Sequence, residues 1–307
     1  MINPDAAVLI TGATSGLGKE CALALGAAGR TVIVHGRRHD AADEVVKQIR
    51  KKGGTALPFV VDFSDLKALD KAFQNFPSLP LHGVMANAGV ISRRPKVLGL
   101  SAQGYDMTFA VNVLAHQLIL MKLSDRVLEG GRIIIVTSGV HDPRNRLSRF
   151  ARISEPKWVG AQHLAHADEA PPELDLSNGF LRYSASKLSN IFQARILQEK
   201  FPHFDVFALN PGFMVDTDLI HEVPSFLRPF LKSLGRIITP FVKSMRLSST
   251  TAKDVRSLLE NLDWKNGGFA YLDGNIIESP SPNALRHDLA TELWKDASEI
   301  VESSISL

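Results

Sequence analysis

AAVLITGATSGLG, residues 6–18, decides the fold. Residues 6–11 form a short apolar run of the kind that makes a buried parallel strand. It passes directly into TGATSGLG: Thr11, Gly12, Ala13, Thr14, Ser15, Gly16, Leu17, Gly18. Leu17, Cys21 and Leu25 then recur at a spacing of four, which predicts a helix with one apolar face. Gly29 ends that helix, and residues 31–35 predict the next strand. The result is a βαβ unit with a glycine-rich first turn. Glycines there let the backbone approach a phosphate, and the helix N-terminus supplies free N–H groups and partial positive charge. The spacing is Gly-x-x-x-Gly-x-Gly, unlike the older Gly-x-Gly-x-x-Gly fingerprint, so its place between strand and helix carries the reading.

Working outward, the second strand ends in His35-Gly36-Arg37-Arg38, where a dinucleotide's adenosine ribose lies. No acid follows until Asp40, so Arg37 and Arg38 favour the 2′-phosphate of NADP over the 2′-hydroxyl of NAD. Two solvated arginines in a loop would give the same letters. A helix through Val45, Val46 and Ile49 leads to a strand at 56–61, closed by Asp62 and Phe63 at the adenine edge. After a helix at 65–76, a strand at 83–86 runs into Asn87-Ala88-Gly89, at a strand end where open α/β sheets bind ligands. A long, mostly buried helix is expected over 105–128. Its mid-helix Asn112 is either a satisfied core amide or part of a proton path. Gly130-Gly131 is expected to end it, and a strand at 132–136 reaches Thr137-Ser138.

The chemistry centres on Tyr183-Ser184-Ala185-Ser186-Lys187, read on the first turns of a helix with Leu188, Ile191, Phe192, Ile196 and Leu197. Tyr183 and Lys187 are four apart and share a face. A free phenol has a pKa of about 10, and a nearby ammonium pulls it toward neutrality. Such a phenol can exchange a proton with an alcohol or a carbonyl. Residues 139–182 ahead of it are polar and irregular, with Arg144, Arg146, Arg149 and Arg152, either a solvated face or an anion site. A strand at 205–209 precedes Asn210-Pro211-Gly212. The basic, apolar segment 224–246 reads as part of a substrate lid spanning 213–247, or as a peripheral membrane contact. A helix at 250–262, a strand at 268–272 and a terminal helix through Leu289, Leu293 and Ile300 complete the pattern.

Composition narrows the classes. The 307 residues suit one large domain, 1–307. A formal charge of +3 is too small to indicate nucleic acid. The single Cys21 excludes an internal disulfide framework and reads as a core residue in a reducing compartment. No metal site is expected. No apolar run of the roughly eighteen residues that a span needs is apparent, so a soluble, cytoplasmic protein is expected.

Six motifs in order over nearly the whole chain resemble the short-chain dehydrogenase/reductase family. They are the TGATSGLG turn, Asn87-Ala88-Gly89, Asn112, Ser138, YSASK, and Pro211-Gly212. The 111–116 run and Leu293-Trp294 before the last helix look most like the branch of retinol dehydrogenases and protochlorophyllide reductases. The resemblance implies a doubly wound Rossmann sheet of about seven parallel strands, helices on both faces, and an NAD(P) cofactor. It implies that Tyr183 is the general acid or base and that Lys187 tunes it and holds the nicotinamide ribose. Ser138 would bind the substrate oxygen, and Asn112 would hold a water linking Lys187 to solvent. The cofactor would lie along Gly12, Thr14, Ser15, Gly16, Leu17, Gly18, Arg37, Arg38, Asp62, Phe63, Asn87, Ala88, Gly89, Tyr183, Lys187, Pro211 and Gly212. The 139–182 insertion implies a monomer or dimer in place of the common tetramer. Expected is NADP-dependent hydride exchange with a fairly large apolar carbonyl or alcohol. The rivals are non-redox chemistry at the same site and a silent dinucleotide sensor.

Overall fold

The computed structural model describes residues 6–91, 99–145, 148–149, 156, 158–174, 176–214, 245–260 and 268–306. Strands β1 (Ala7–Ile10), β2 (Thr31–Gly36), β3 (Thr55–Val60), β4 (Leu81–Ala86), β5 (Val127–Val136), β6 (Asp205–Asn210) and β9 (Ala270–Asp273) pair in parallel. The sheet runs β3-β2-β1-β4-β5-β6-β9-β10, and β10 (Ile276–Glu278) closes it antiparallel to β9. A second, two-stranded sheet pairs β7 (Phe213–Met214) with β8 (Met245–Arg246). The seven parallel strands match the expectation; the antiparallel edge strand does not appear in the sequence pattern.

Both faces of the sheet are apolar because each is covered. On one side lie α1 (Gly16–Ala27), α2 (His39–Lys51) and α7 (Ser248–Glu260), burying Cys21, Leu25, Val45, Val46, Ile49 and Val255 against β1, β2 and β6. On the other lie α3 (Leu66–Ala72), α4 (107–123), α6 (Gly179–Lys200) and α8 (His287–Ser306). Phe192 and Phe204 are fully buried on that side, each burial contributing about 1.5–3 kcal/mol.

The helix α4 differs from expectation. Its segments Met107–Phe109, Ala110–Leu114 and Ala115–Leu123 follow without a break, and the middle one is a π turn. It gives way to a 3₁₀ turn over Ser124–Arg126, after which β5 begins at once. Gly130 and Gly131 therefore lie inside β5, where the register with β4 shifts, and do not end the helix. By length and hydropathy Met107–Arg126 would suffice to cross a membrane, contrary to the reading of the sequence; most of it is buried inside the fold.

The 139–182 insertion packs where it is described. A short helix, α5 (Ala161–Ala165), sinks Ala161, Leu164 and Ala165 into the core. The Asp106 N–H donates to Ala165 O at 2.7 Å, and Trp158 Nε1 donates to Glu292 of α8 at 3.0 Å. Arg144 pairs with Asp142 at 2.7 Å, the arrangement of a solvated salt bridge. Arg146, Arg152 and all of 224–246 except Met245 and Arg246 lie outside the described residues, so the lid and membrane readings do too.

Candidate active site

The sheet order reverses between β1 and β4, and there the crevice opens at the strands' carboxyl ends. The Gly12–Gly18 turn follows β1, Arg37 and Arg38 follow β2, and Asp62 and Phe63 follow β3. Asn87, Ala88 and Gly89 follow β4, Ser138 follows β5, and Pro211 and Gly212 follow β6. The fold thus gathers every segment of the expected site along one edge.

The glycine turn is built against the Asn87–Gly89 turn. Gly12 has φ +64°, and a Cβ on it would lie 3.0 Å from Ala88 Cα. A Cβ on Gly18 would lie 2.4 Å from Gly12 O and 2.6 Å from Asn87 Nδ2. Asn87 Nδ2 donates to Thr11 O at 2.8 Å, and the N–H groups of Asn87 and Ala88 each donate to Thr11 Oγ1 at 2.8 Å.

Two histidines to which the sequence reading gave no role lock this junction. His116 Nδ1 lies 3.1 Å from Asn112 O, which only accepts, so Nδ1 carries the proton. Its bare Nε2 then takes the Thr11 hydroxyl proton at 3.1 Å, in preference to Met85 O at 3.3 Å. His35 Nδ1 accepts from the Gly12 N–H at 3.0 Å, so its Nε2–H donates to Val61 O at 3.1 Å. Burial is the main cause that lowers His35 to about 4 and His116 to about 3, so both are neutral at physiological pH. A sequence signal was available: His35 ends the apolar strand run 32–34, and His116 follows the apolar stretch 113–115.

With the Gly12 N–H committed to His35, the donors left for a phosphate are those of the first turn of α1. Ser15 is extended, its side chain makes no capping bond, and no acidic residue sits in that turn. An uncapped helix N-terminus beside close-packed glycines fits a dinucleotide pyrophosphate. Ser15 is exposed, Thr14 packs over Gly36, and Leu17 is buried, offering only its backbone. Arg37 and Arg38 are exposed at the mouth, with Arg38 3.3 Å from Asp40. Asp62 is exposed and accepts from the Ser64 N–H at 2.9 Å. The Phe63 ring departs from the expectation of a cofactor contact. It turns inward and stacks on His35 at 3.9 Å, because that interior face is apolar and aromatic.

The reacting end joins β5 to α6 through three side chains. Lys187 Nζ donates to Val136 O at 2.9 Å, Thr137 Oγ1 to Lys187 O at 2.7 Å, and Ser184 Oγ to Val140 O at 2.5 Å. These bonds hold Ser138, which lies between Thr137 and Val140, against the turn that carries Tyr183. His141 Nδ1 donates to Ser138 O at 2.7 Å and fixes the loop from the other side. Tyr183 is half-buried, with its ring centroid 5.7 Å from Lys187 Nζ. Lys187 is buried, and burial draws it down to about 8. A Cβ on Gly89 would lie 3.6 Å from Nζ, so the ammonium borders the crevice. Pro211 is buried and Gly212, at φ +78°, turns the chain away; the Gly212 N–H donates to Asn210 Oδ1 at 3.2 Å.

Asn112 is a saturated amide. Its Oδ1 accepts from the Val90 N–H at 2.8 Å, and its Nδ2 donates to Val90 O and to Ser186 Oγ, each at 3.0 Å. Its backbone carbonyl receives His116 Nδ1–H and Asn190 Nδ2–H. Lys187 Nζ donates to Asn190 Oδ1 at 3.2 Å. The Asn190 amide therefore bridges Lys187 Nζ and the Asn112 carbonyl.

The buried neutral histidines give a pH dependence. Their ordinary value is 6.5 and their folded values are lower, so the unfolded chain binds protons first as pH falls. Stability is full above pH 6.5 and is lost toward pH 4, at about 1.4 kcal/mol per histidine per pH unit. Denaturant midpoints at pH 7 and pH 5 will differ for the wild type and differ less for His35→Gln; equal slopes would contradict the buried-neutral assignment.

Comparison with known proteins places this geometry. Residues 6–148 match the model of the short chain dehydrogenase family. Human retinol dehydrogenase 12 is 27% identical, over 97% of this chain and 87% of its own. The dehydrogenase/reductase SDR family member FEY of Arabidopsis thaliana is also 27% identical, over 97% of this chain and 78% of its own. The fold superposes on an angucycline C-6 ketoreductase solved with bound NADP, at TM-score 0.60 and 23% identity, covering 88% of this chain and 94% of that one. The family match over residues 6–148 and these relatives along nearly the whole chain support a short-chain dehydrogenase/reductase of the retinol-dehydrogenase-like branch, an NAD(P)-dependent oxidoreductase of the carbonyl/alcohol pair.

Proposed function

We propose that the protein uses NADP(H) to interconvert a carbonyl and an alcohol on a fairly large apolar molecule in the cytoplasm. The observation that carries this reading is the half-buried Tyr183 set above the buried ammonium of Lys187, beside a groove fit for a dinucleotide. When bound, the cofactor supplies or receives the hydride. The chain's own residues handle the proton and the oxygen. In reduction the Tyr183 hydroxyl gives its proton to the substrate oxygen as the C=O becomes C–OH. The Ser138 hydroxyl holds that oxygen, and the Lys187 ammonium stabilises the phenolate left on Tyr183. Oxidation reverses each transfer. The apolar preference is supported by Val90 and Phe180, exposed large hydrophobics at the site. Val90 is fastened to Asn112, and the Phe180 ring lies edge-on 6.2 Å from Tyr183.

Loss of the reduced nicotinamide's near-ultraviolet absorbance with a panel of bulky ketones and aldehydes tests the activity. No turnover in either direction despite tight NADPH binding would refute it. Selection of NADP is read at Arg37 and Arg38. Exposed as they are, their charged hydrogen bonds to a 2′-phosphate are together worth about 1.5–3 kcal/mol. The Arg37→Ser/Arg38→Ser pair is expected to raise KM for NADPH by roughly tenfold to a hundredfold while barely moving KM for NADH. Equal changes for both cofactors would remove the preference.

A further inference from the structure

Helix α6 buries a polar stripe that the hydride chemistry leaves unexplained. Asn190, Gln193 and, on α4, Gln117 are at most 1% exposed. They join in series. Lys187 Nζ donates to Asn190 Oδ1 at 3.2 Å, and Asn190 Nδ2 donates to Gln193 Oε1 at 3.1 Å. Gln193 Nε2 donates to Gln117 Oε1 at 2.9 Å, and Gln117 Nε2 donates to Ser298 Oγ of α8 at 3.0 Å.

The direction of the series is forced. An ammonium only donates, so Asn190 must turn its oxygen toward Lys187. The Asn190 NH₂ then meets Asn112 O at 2.8 Å as well as Gln193 Oε1, and the Gln193 NH₂ meets Val113 O at 3.1 Å. Asn112 and Val113 lie in the π turn of α4, whose wider ring breaks the usual ladder and leaves carbonyls for other partners. Those carbonyls only accept, so a flipped amide would face N–H against N–H or oxygen against oxygen. Three carboxamides are thus locked with their negative ends toward Lys187.

We propose that Asn190, Gln193 and Gln117 form a relay of aligned amide dipoles that positions the Lys187 ammonium and holds its charge, with Asn190 as the positioning residue in contact. The proposal rests on the reading of Tyr183 and Lys187 given above. Lys187 needs such help, since burial is the cause that draws it down to about 8. The described surroundings offer it the Val136 carbonyl as a further acceptor. α6 presents Tyr183, and α4 presents His116, which is neutral. β5 presents the Val136 carbonyl, and the turn after β4 presents Gly89. The relay also explains why a 22-residue helix carries Asn and Gln where its neighbours Leu188, Ile191 and Phe192 are fully buried.

The test reads the phenol directly and needs no turnover, so it answers even if no carbonyl substrate is found. The chain has three tyrosines. Subtracting the ultraviolet tyrosinate titration of Tyr183→Phe from that of the wild type isolates the apparent midpoint of Tyr183. Removing the relay's first amide weakens the ammonium and with it the stabilisation of the phenolate. Asn190→Leu is expected to raise the Tyr183 midpoint by about one pH unit, and Gln193→Met, which does not touch Lys187, by roughly half of that. A loss of packing alone lowers the melting temperature and leaves the midpoint in place. Midpoints equal to the wild type in both variants overturn the proposal. If Asn190→Leu does not fold, Gln193→Met decides alone: a raised midpoint supports the relay, and an unmoved one overturns it.

Discussion

Tyr183→Phe is expected to lower kcat about a thousandfold while leaving the dissociation constant of NADPH within a few-fold of wild type. The change removes one oxygen and no packing. Lys187 keeps Val136 O and Asn190 Oδ1 as acceptors, and the turn after β1 is untouched. What disappears is the hydroxyl proton proposed to pass from Tyr183 to the substrate oxygen. A loss of that size is about 4 kcal/mol of transition-state stabilisation, within what general acid catalysis supplies. Single-turnover absorbance with saturating NADPH separates this from a binding defect. A variant with unchanged kcat would place the proton donor elsewhere.

Arg182→Met is expected to cost about 3–5 kcal/mol of stability. Arg182 and Asp106 meet at 3.0 Å with side chains 1% and 2% exposed. Their geometry is that of an ion pair off the ideal donor axis; the aligned bonds go elsewhere. Asp106 Oδ1 caps α4 by accepting from the Phe109 N–H at 2.9 Å, and Arg182 Nη1 donates to Leu176 O. Burial is the main cause that raises the Asp106 carboxyl, with the Phe109 N–H and the Arg182 guanidinium opposing it. Without Arg182 that carboxyl must protonate or stay buried unpaired. The melting temperature should fall by roughly 10 °C for a domain of this size. Asp106→Asn/Arg182→Met should lose less than the sum of the single variants, because no orphaned charge remains. Arg182 adjoins Tyr183, so the single variant should also lower kcat modestly. A shift of less than about 2 °C would show that the pair is not holding the two helices together.

Much of the framework was legible in the sequence, for local reasons. The apolar runs of β1, β2 and β4 are continuous because both sheet faces are covered. The turn after β1 is glycine-rich because Gly12 and Gly18 touch their neighbours' backbones. Tyr183 and Lys187 sit on the first turns of a helix, as their spacing and the apolar positions beyond them indicate. What escaped depends on distant partners. The π turn at Ala110–Leu114 is stabilised by donors from α6 some eighty residues on, and no local pattern marks it. β5 starts at Val127 because Leu81 pairs there across a register shift, so Gly130-Gly131 looks like a helix stop and is a bulge within a strand. Phe63 sits where the cofactor's adenine edge was expected, but its ring belongs to the core through His35. Asn190 and Gln193 read as ordinary polar helix positions until Lys187 and Gln117 are seen on either side of them.

The central claim is that a hydride and a proton reach the two ends of one carbonyl, the proton from Tyr183. The most direct measurement is mass spectrometry of the alcohol made from a ketone with NADPH deuterated at the nicotinamide C4 position. The account predicts one deuterium on the carbinol carbon, from one face of the nicotinamide, with its formation slowed about a thousandfold in Tyr183→Phe. Product that forms without deuterium, and with the reduced cofactor unconsumed, would contradict it.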